Sequence, residues 1–167
     1  MTVVSNTSPI INLAAIDRLT LLQQLYGHII IPQAVYHEIA VTGAGEPGAQ
    51  EVQRLSWIIT HTVADQTLVH SLCVEIDCGE AEAIACASEL NAELLLVDEE
   101  HGRAIAQRLG LRVIGLLGVL IEAKHRGLID AVNSILDALV NRAGFWVTHD
   151  LYVRVLQAAG ENPSATN

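Results

Sequence analysis

Four polar residues follow short apolar runs or sit at the ends of helical stretches: Asn6, Glu38, Glu80 and Asp98. Asn6 ends the apolar VVS of residues 3–5 and begins the run Asn6-Thr7-Ser8. Asp98 follows ELLLV (93–97) and precedes Glu99 and Glu100. Glu38 lies in IIIPQAVYHEI, on the helical face of Ala34 and Val35, near the helix C-terminus. Negative charge opposes the helix dipole there, which implies a partner such as a cation. Glu80 opens GEAEAIACASEL (79–90), and Ala83, Ile84 and Ala87 continue its stripe, so its carboxylate is expected to point inward. Glu82 aligns with Cys86 and Glu89 on a face that reads as wetter. Taken singly, each cluster reads as a helix cap that satisfies free amides, and Glu99 and Glu100 are left with that reading. Taken together, hard oxygen donors of this kind suit magnesium or manganese. Such an ion acidifies water and offsets charge on a phosphate during in-line hydrolysis.

Other chemistries lack their signatures. Tyr36-His37-Glu38-Ile39-Ala40 has no second histidine for an HExxH zinc site. No Walker loop occurs, the glycines of GAGEPG (43–48) lie in a turn-rich loop that follows a helix and not a strand, and Ser8 lies in no GxSxG context. The net charge of −10 argues against a broad, sequence-independent grip on nucleic acid, though an acidic site neutralised by cations is compatible with it. With 4% aromatic residues, no base-stacking platform is expected. The basic groups Lys124–Arg126 and Arg103–Arg112 read as solvated faces. Cys73, Cys78 and Cys86 form no CxxC pair and read as buried reduced thiols.

The elements that must position these residues alternate short apolar strands with amphipathic helices. Strands are expected at 3–5, 28–31, 57–63, 93–97 and 112–114, with a short one at WVT (146–148). Helices are expected between them and at 116–126, 129–142 and 149–159, with Asp17 and Thr148 as caps. This alternation implies a parallel sheet covered on both faces. In such sheets ligands bind past the carboxyl ends of the strands, where the strand order reverses. One domain over residues 1–160 is expected, with a flexible tail at 161–167. No apolar run is long enough to span a membrane and no signal peptide is evident, so a cytoplasmic protein is expected. The C-terminal amphipathic helices would serve a homodimer or the core equally well.

VVSNTSPI, IIIPQAVYHEI, GEAEAIACA and LLLVDEEHGRAIA, in that order, resemble the motifs of the PIN domain. The closest likeness is to a prokaryotic branch related to the VapC toxins, and it covers the chain to about Ala159. The resemblance implies a three-layer α/β/α sandwich around a parallel sheet. It also implies an acidic site for Mg2+ or Mn2+, ribonuclease activity on RNA, homodimerisation and a small antitoxin-like protein partner. By motif, Asn6 stands where the family carries its first-strand aspartate, and Ser8 resembles the hydroxyl residue that accompanies it. Glu38 matches the acid of the second motif. Glu80 matches the acid that opens the third-motif helix, where aspartate is commoner, and Asp98 matches the acid after the fourth strand. An amide at Asn6 can coordinate through its oxygen but carries no charge, which weakens cation affinity and favours one ion over two.

Three functional readings follow. In the first, Glu38, Glu80 and Asp98 are catalytic, the same three with Asn6 hold the metal, and Ser8 supports them. In the second, a catalytically silent PIN-like module binds RNA or a protein partner, as the Asn6 amide and the charge of −10 would suit. A third reading, a nucleotide-binding α/β domain using helix N-termini for phosphate, lacks a Gly-rich loop between a strand and a helix.

Overall fold

In a computed structural model, which describes residues 1–163, five short strands form one parallel sheet in the order β3-β2-β1-β4-β5. The strands are β1 (Val3–Ser5), β2 (Ile29–Pro32), β3 (Ile58–His61), β4 (Leu94–Leu96) and β5 (Val113–Ile114). They are nearly all-apolar runs because helices cover both faces: Val3, Val4, Ile29, Ile31 and Leu96 are each fully buried. The ten described α-helices are α1 (Thr7–Ala15), α2 (Thr20–Tyr26), α3 (Gln33–His37), α4 (Glu51–Arg54), α5 (Gln66–Leu72), α6 (Cys78–Glu89), α7 (Glu100–Arg108), α8 (Leu116–His125), α9 (Val132–Arg142) and α10 (His149–Ala158). The architecture is the expected α/β/α sandwich.

The chain builds β1, β2 and β3 outward in one direction, then returns to place β4 on the other side of β1. The reversal therefore falls between β1 and β4, with Ser5 paired to Leu96 in register. Asn6 and Asp98 leave the sheet at its carboxyl edge on these two strands. Strands this close, about 4.8 Å apart, bring their exit residues into one crevice.

Several local features differ from the expectation. WVT forms no strand: Phe145 and Val147 pack on the core and turn Trp146 outward, 81% exposed. Asp17 caps no helix; it takes a left-handed conformation (φ 57°), which aspartate tolerates, and Leu19 occupies the position before α2. Cys73 and Cys78 are not reduced thiols; the turn between α5 and α6 joins them as a disulfide with Cα atoms 4.9 Å apart. Cys86 is the buried free thiol. Glu161, the first residue of the expected tail, is anchored by the amides of Val132 and Asn133 at 2.7 and 3.1 Å. Residues 164–167 of that tail lie outside the described residues. No described helix is long and apolar enough to cross a membrane.

Candidate active site

Asp98 is fixed from two directions. Its Oδ1 accepts the Leu116 backbone N–H at 2.7 Å, at the start of α8. Its Oδ2 accepts the Ser8 hydroxyl at 3.1 Å, and Ser8 in turn accepts the Asn12 amide at 3.0 Å, one helical turn on. Gly115 makes this approach possible. A Cβ there would stand 3.1 Å from Asp98 Oδ1 and 2.9 Å from Arg103 Nη1. Burial pushes the Asp98 carboxyl above its usual range, against the Leu116 N–H, the Ser8 hydroxyl and the Arg103 charge that favour ionisation.

Glu80 is the most constrained acid. It lies in the first turn of α6, which Asp77 caps by accepting the Gly79 N–H at 3.1 Å. Its stripe of small residues lets α6 pack closely on the sheet, so the carboxylate enters the interior with only 5% of the residue exposed. Among the described residues its Oε1 has no hydrogen-bond partner. Gly102 of α7 makes room for that oxygen, since a Cβ there would stand 2.6 Å from it. Burial, then the charges of Glu99 and Asp77, a hydrogen bond with Glu99 and the charge of Glu38, push the Glu80 carboxyl up to about 7.

Glu38 lies at the rim. The chain does not end its helix there; a π-helical turn, Glu38–Thr42, continues α3, so the expected clash with a helix C-terminus does not arise. The residue is exposed, but its Oε2 accepts the Thr7 hydroxyl at 2.9 Å and lies 2.9 Å from where a Gly79 Cβ would be. Asn6 is 7% exposed, its backbone N–H donates to Leu96 O at 2.9 Å, and its side chain makes no capping bond to α1. The polar run after β1 therefore supplies the site rather than a cap: Thr7 holds Glu38 and Ser8 holds Asp98.

The acids thus fall into two groups. Glu80 has Glu38, Asp77 and Glu99 as its charged neighbours, and Asp98 has Ser8, the Leu116 amide and Arg103. Among the described residues no three His, Cys, Asp or Glu side chains already stand as a chelate. Carboxylates without a counterion repel one another, and that repulsion adds to burial, the larger cause, in raising Glu80. An orphaned buried oxygen amid other carboxylates fits a hard divalent cation better than any neutral ligand.

Asp77 and Glu99 were not singled out in the sequence. Asp77 stands three residues before Glu80, and Glu99 directly follows Asp98. Glu99 reads as a cap, yet its side chain makes no capping bond to α7 and turns to Glu80. Glu82 and Glu89 are less buried than Glu80, as the wetter face requires, but Glu82 also has a structural task. It accepts the Ala34 N–H at 3.1 Å, filling the capping role that Pro32 cannot, while Cys86 is fully buried. The Lys124–Arg126 group is structural: Lys124 pairs with Glu161 and Arg126 with Glu122.

The PIN domain family profile matches residues 2–161. No curated protein matches the chain.

Proposed function

The chain belongs to the PIN domain family, and from that membership and its clustered acids we propose that it is a divalent-metal-dependent ribonuclease, of VapC-like type, that hydrolyses RNA phosphodiesters. The observation that carries this reading is the buried Glu80 carboxyl, with an unpartnered oxygen and acidic neighbours. Membership in the family suggests a nuclease; the charge deficit inside this pocket is what calls for a cation.

Glu80, Asp98 and Glu38 would hold Mg2+ or Mn2+, with the Asn6 oxygen as a neutral donor. Bound there, the ion would acidify a water and offset the charge of the phosphate under attack. Asp98 is held still by Ser8 and the Leu116 amide, which keeps its oxygens oriented before any ligand arrives. A positive charge beside Glu80 would return it to the ionised form. Glu38, exposed at the rim and steadied by Thr7, is the acid free to orient a water. On the VapC likeness, a homodimer, a small antitoxin-like inhibitor and a cytoplasmic setting belong to the same reading.

Asn6 favours one alternative, a module that binds RNA or a protein without cutting, because an amide leaves the pocket one charge short. Incubation with RNA and manganese, beside the Asp98→Asn protein, separates the two. The ribonuclease reading requires cleavage that chelator stops and Asp98→Asn lowers at least about a hundredfold. Cleavage that survives the substitution, or none at all, overturns it.

A further inference from the structure

A second groove opens beside Asp98 and is not explained by the acid cluster. It encloses about 700 Å3 and is lined by Asp98 and Arg103 together with Ile114, Ile121, Phe145 and Trp146. That volume lies within the range of about 300–1,000 Å3 typical of small-molecule sites.

Two residues in it bear on what it could hold. Trp146 presents 81% of its surface to solvent, although a tryptophan is among the side chains that gain most from burial. The Arg103 side chain makes no hydrogen bond or ion pair among the described residues, as is also true of Arg18, Arg54, Arg112 and Arg154, but of these it is the one that lines the groove. The Arg103 guanidinium is nonetheless positioned: its Nη1 and Asp98 Oδ1 flank the same face of Gly115. It senses Asp98 only through its field. The groove is therefore continuous with the candidate active site, with a fork of free donors beside the acid and an open aromatic face further along its lining.

We propose that this groove is the subsite for one unpaired nucleotide of the substrate strand, next to the bond that is cut. The Trp146 indole stacks on the base, and the Arg103 guanidinium binds a phosphate oxygen. This rests on the ribonuclease reading above and adds to it the strand's form and its contacts. A base inside a duplex cannot offer its face to an indole, so the subsite selects single-stranded segments. Arginine suits the phosphate because its planar fork matches the oxygens. Asp98 and Glu99 also line the groove, so the phosphate must sit on the Arg103 side of it. With one free guanidinium in the groove, the contact is local, as the overall charge of −10 requires.

The test uses the full chain carrying Trp57→Phe, which leaves Trp146 as its single indole. Its emission is followed as an unstructured RNA oligonucleotide is added in chelator, with a hairpin-free duplex of the same length as comparison. Saturable quenching by the single strand, absent with the duplex, is expected. Trp146→Ala should weaken binding, read by anisotropy of a labelled strand, roughly tenfold or more, and Trp146→Tyr should recover most of it. Arg103→Ala should lower the salt slope of binding by about one. Trp146 is exposed and Arg103 is half-buried, so unchanged circular dichroism checks that the variants fold. Quenching without later cleavage in manganese would keep the subsite and remove the ribonuclease reading. Cleavage with unquenched Trp146 and a neutral Trp146→Ala would overturn the subsite alone. Emission that shifts with protein concentration and ignores RNA would also overturn it, assigning the indole to contact between copies.

Discussion

At the scale of the residue, the account rests on Glu80. A carboxyl raised to about 7 by burial and by Glu99, Asp77 and Glu38 is held mostly neutral by the metal-free protein at mild acid pH. Its folded value lies above the ordinary 4.5, so its contribution to stability is complete below about pH 4.5 and is lost as pH rises through about 7. In chelator, this group alone should cost the protein about 2–3 kcal/mol between about pH 5 and pH 8. Denaturant unfolding at both pH values should show that loss in the wild type and a flatter profile in Glu80→Gln. Parallel profiles would mean that Glu80 is not strained by its neighbours. A second prediction concerns Asn6. Asn6→Asp should raise manganese affinity about tenfold or more, measured by calorimetry, because it adds a charge to a buried oxygen site. Asp98 and Glu80 were legible in the sequence because one ends a buried strand and the other shares the small-residue stripe of its helix. Glu99 and Glu82 were not, because an acid at a helix edge looks alike whether it caps its own helix, caps another or turns inward. Only packing decides between those.

At the scale of the element, the close approach of α6 and α7 is what holds Glu80 in place. Gly102 leaves the space that Glu80 Oε1 occupies. Gly102→Ala should therefore keep overall stability within about 1 kcal/mol, since alanine favours the helix by a similar amount. Its effect should appear in function: manganese affinity should fall about tenfold as the displaced carboxylate leaves its position. Unchanged affinity would show that the space is not needed. Glu161 offers an independent test of an element far from the site. Burial opposes its ionisation, but the Val132 and Asn133 amides and Lys124 outweigh that and hold its carboxyl below the usual range. It caps α9 from the end of the described chain, so Glu161→Gln should cost about 1 kcal/mol in thermal or denaturant unfolding at neutral pH. The cap should be lost as pH falls through the lowered value. A neutral Glu161→Gln would show that α9 needs no such cap. The helices and central strands were readable from periodicity and apolar runs. The WVT segment was not, because three residues of strand-like composition form a strand only if a sheet edge is free to receive them. The Cys73–Cys78 pair was not, because a spacing of five becomes a contact only through the turn between α5 and α6.

At the scale of the whole molecule, the strand order does most of the work. Reversal between β1 and β4 brings the residues after both strands to one edge, although more than ninety positions separate Asn6 from Asp98. That crevice was foreseeable from alternating strands and helices alone. The indole beside it was not: a composition of 4% aromatic residues argues against a stacking platform on average, and one well-placed Trp146 escapes an average. On the ribonuclease reading, the charge of −10 also predicts how the molecule would bind RNA. RNA binding in chelator should depend weakly on salt, with a log–log slope of about 2 or less, since few cations contact phosphate. A steep slope would place the RNA on a surface other than this crevice. The central claim is that acids distant along the chain form one cation site, and manganese titration followed by electron paramagnetic resonance tests it most directly. The wild type should remove free Mn2+ from solution in a saturable way, and Glu80→Gln and Asp98→Asn should each weaken that uptake about tenfold or more. A wild type that takes up no manganese, or two variants that bind it as tightly as the wild type, would contradict the account.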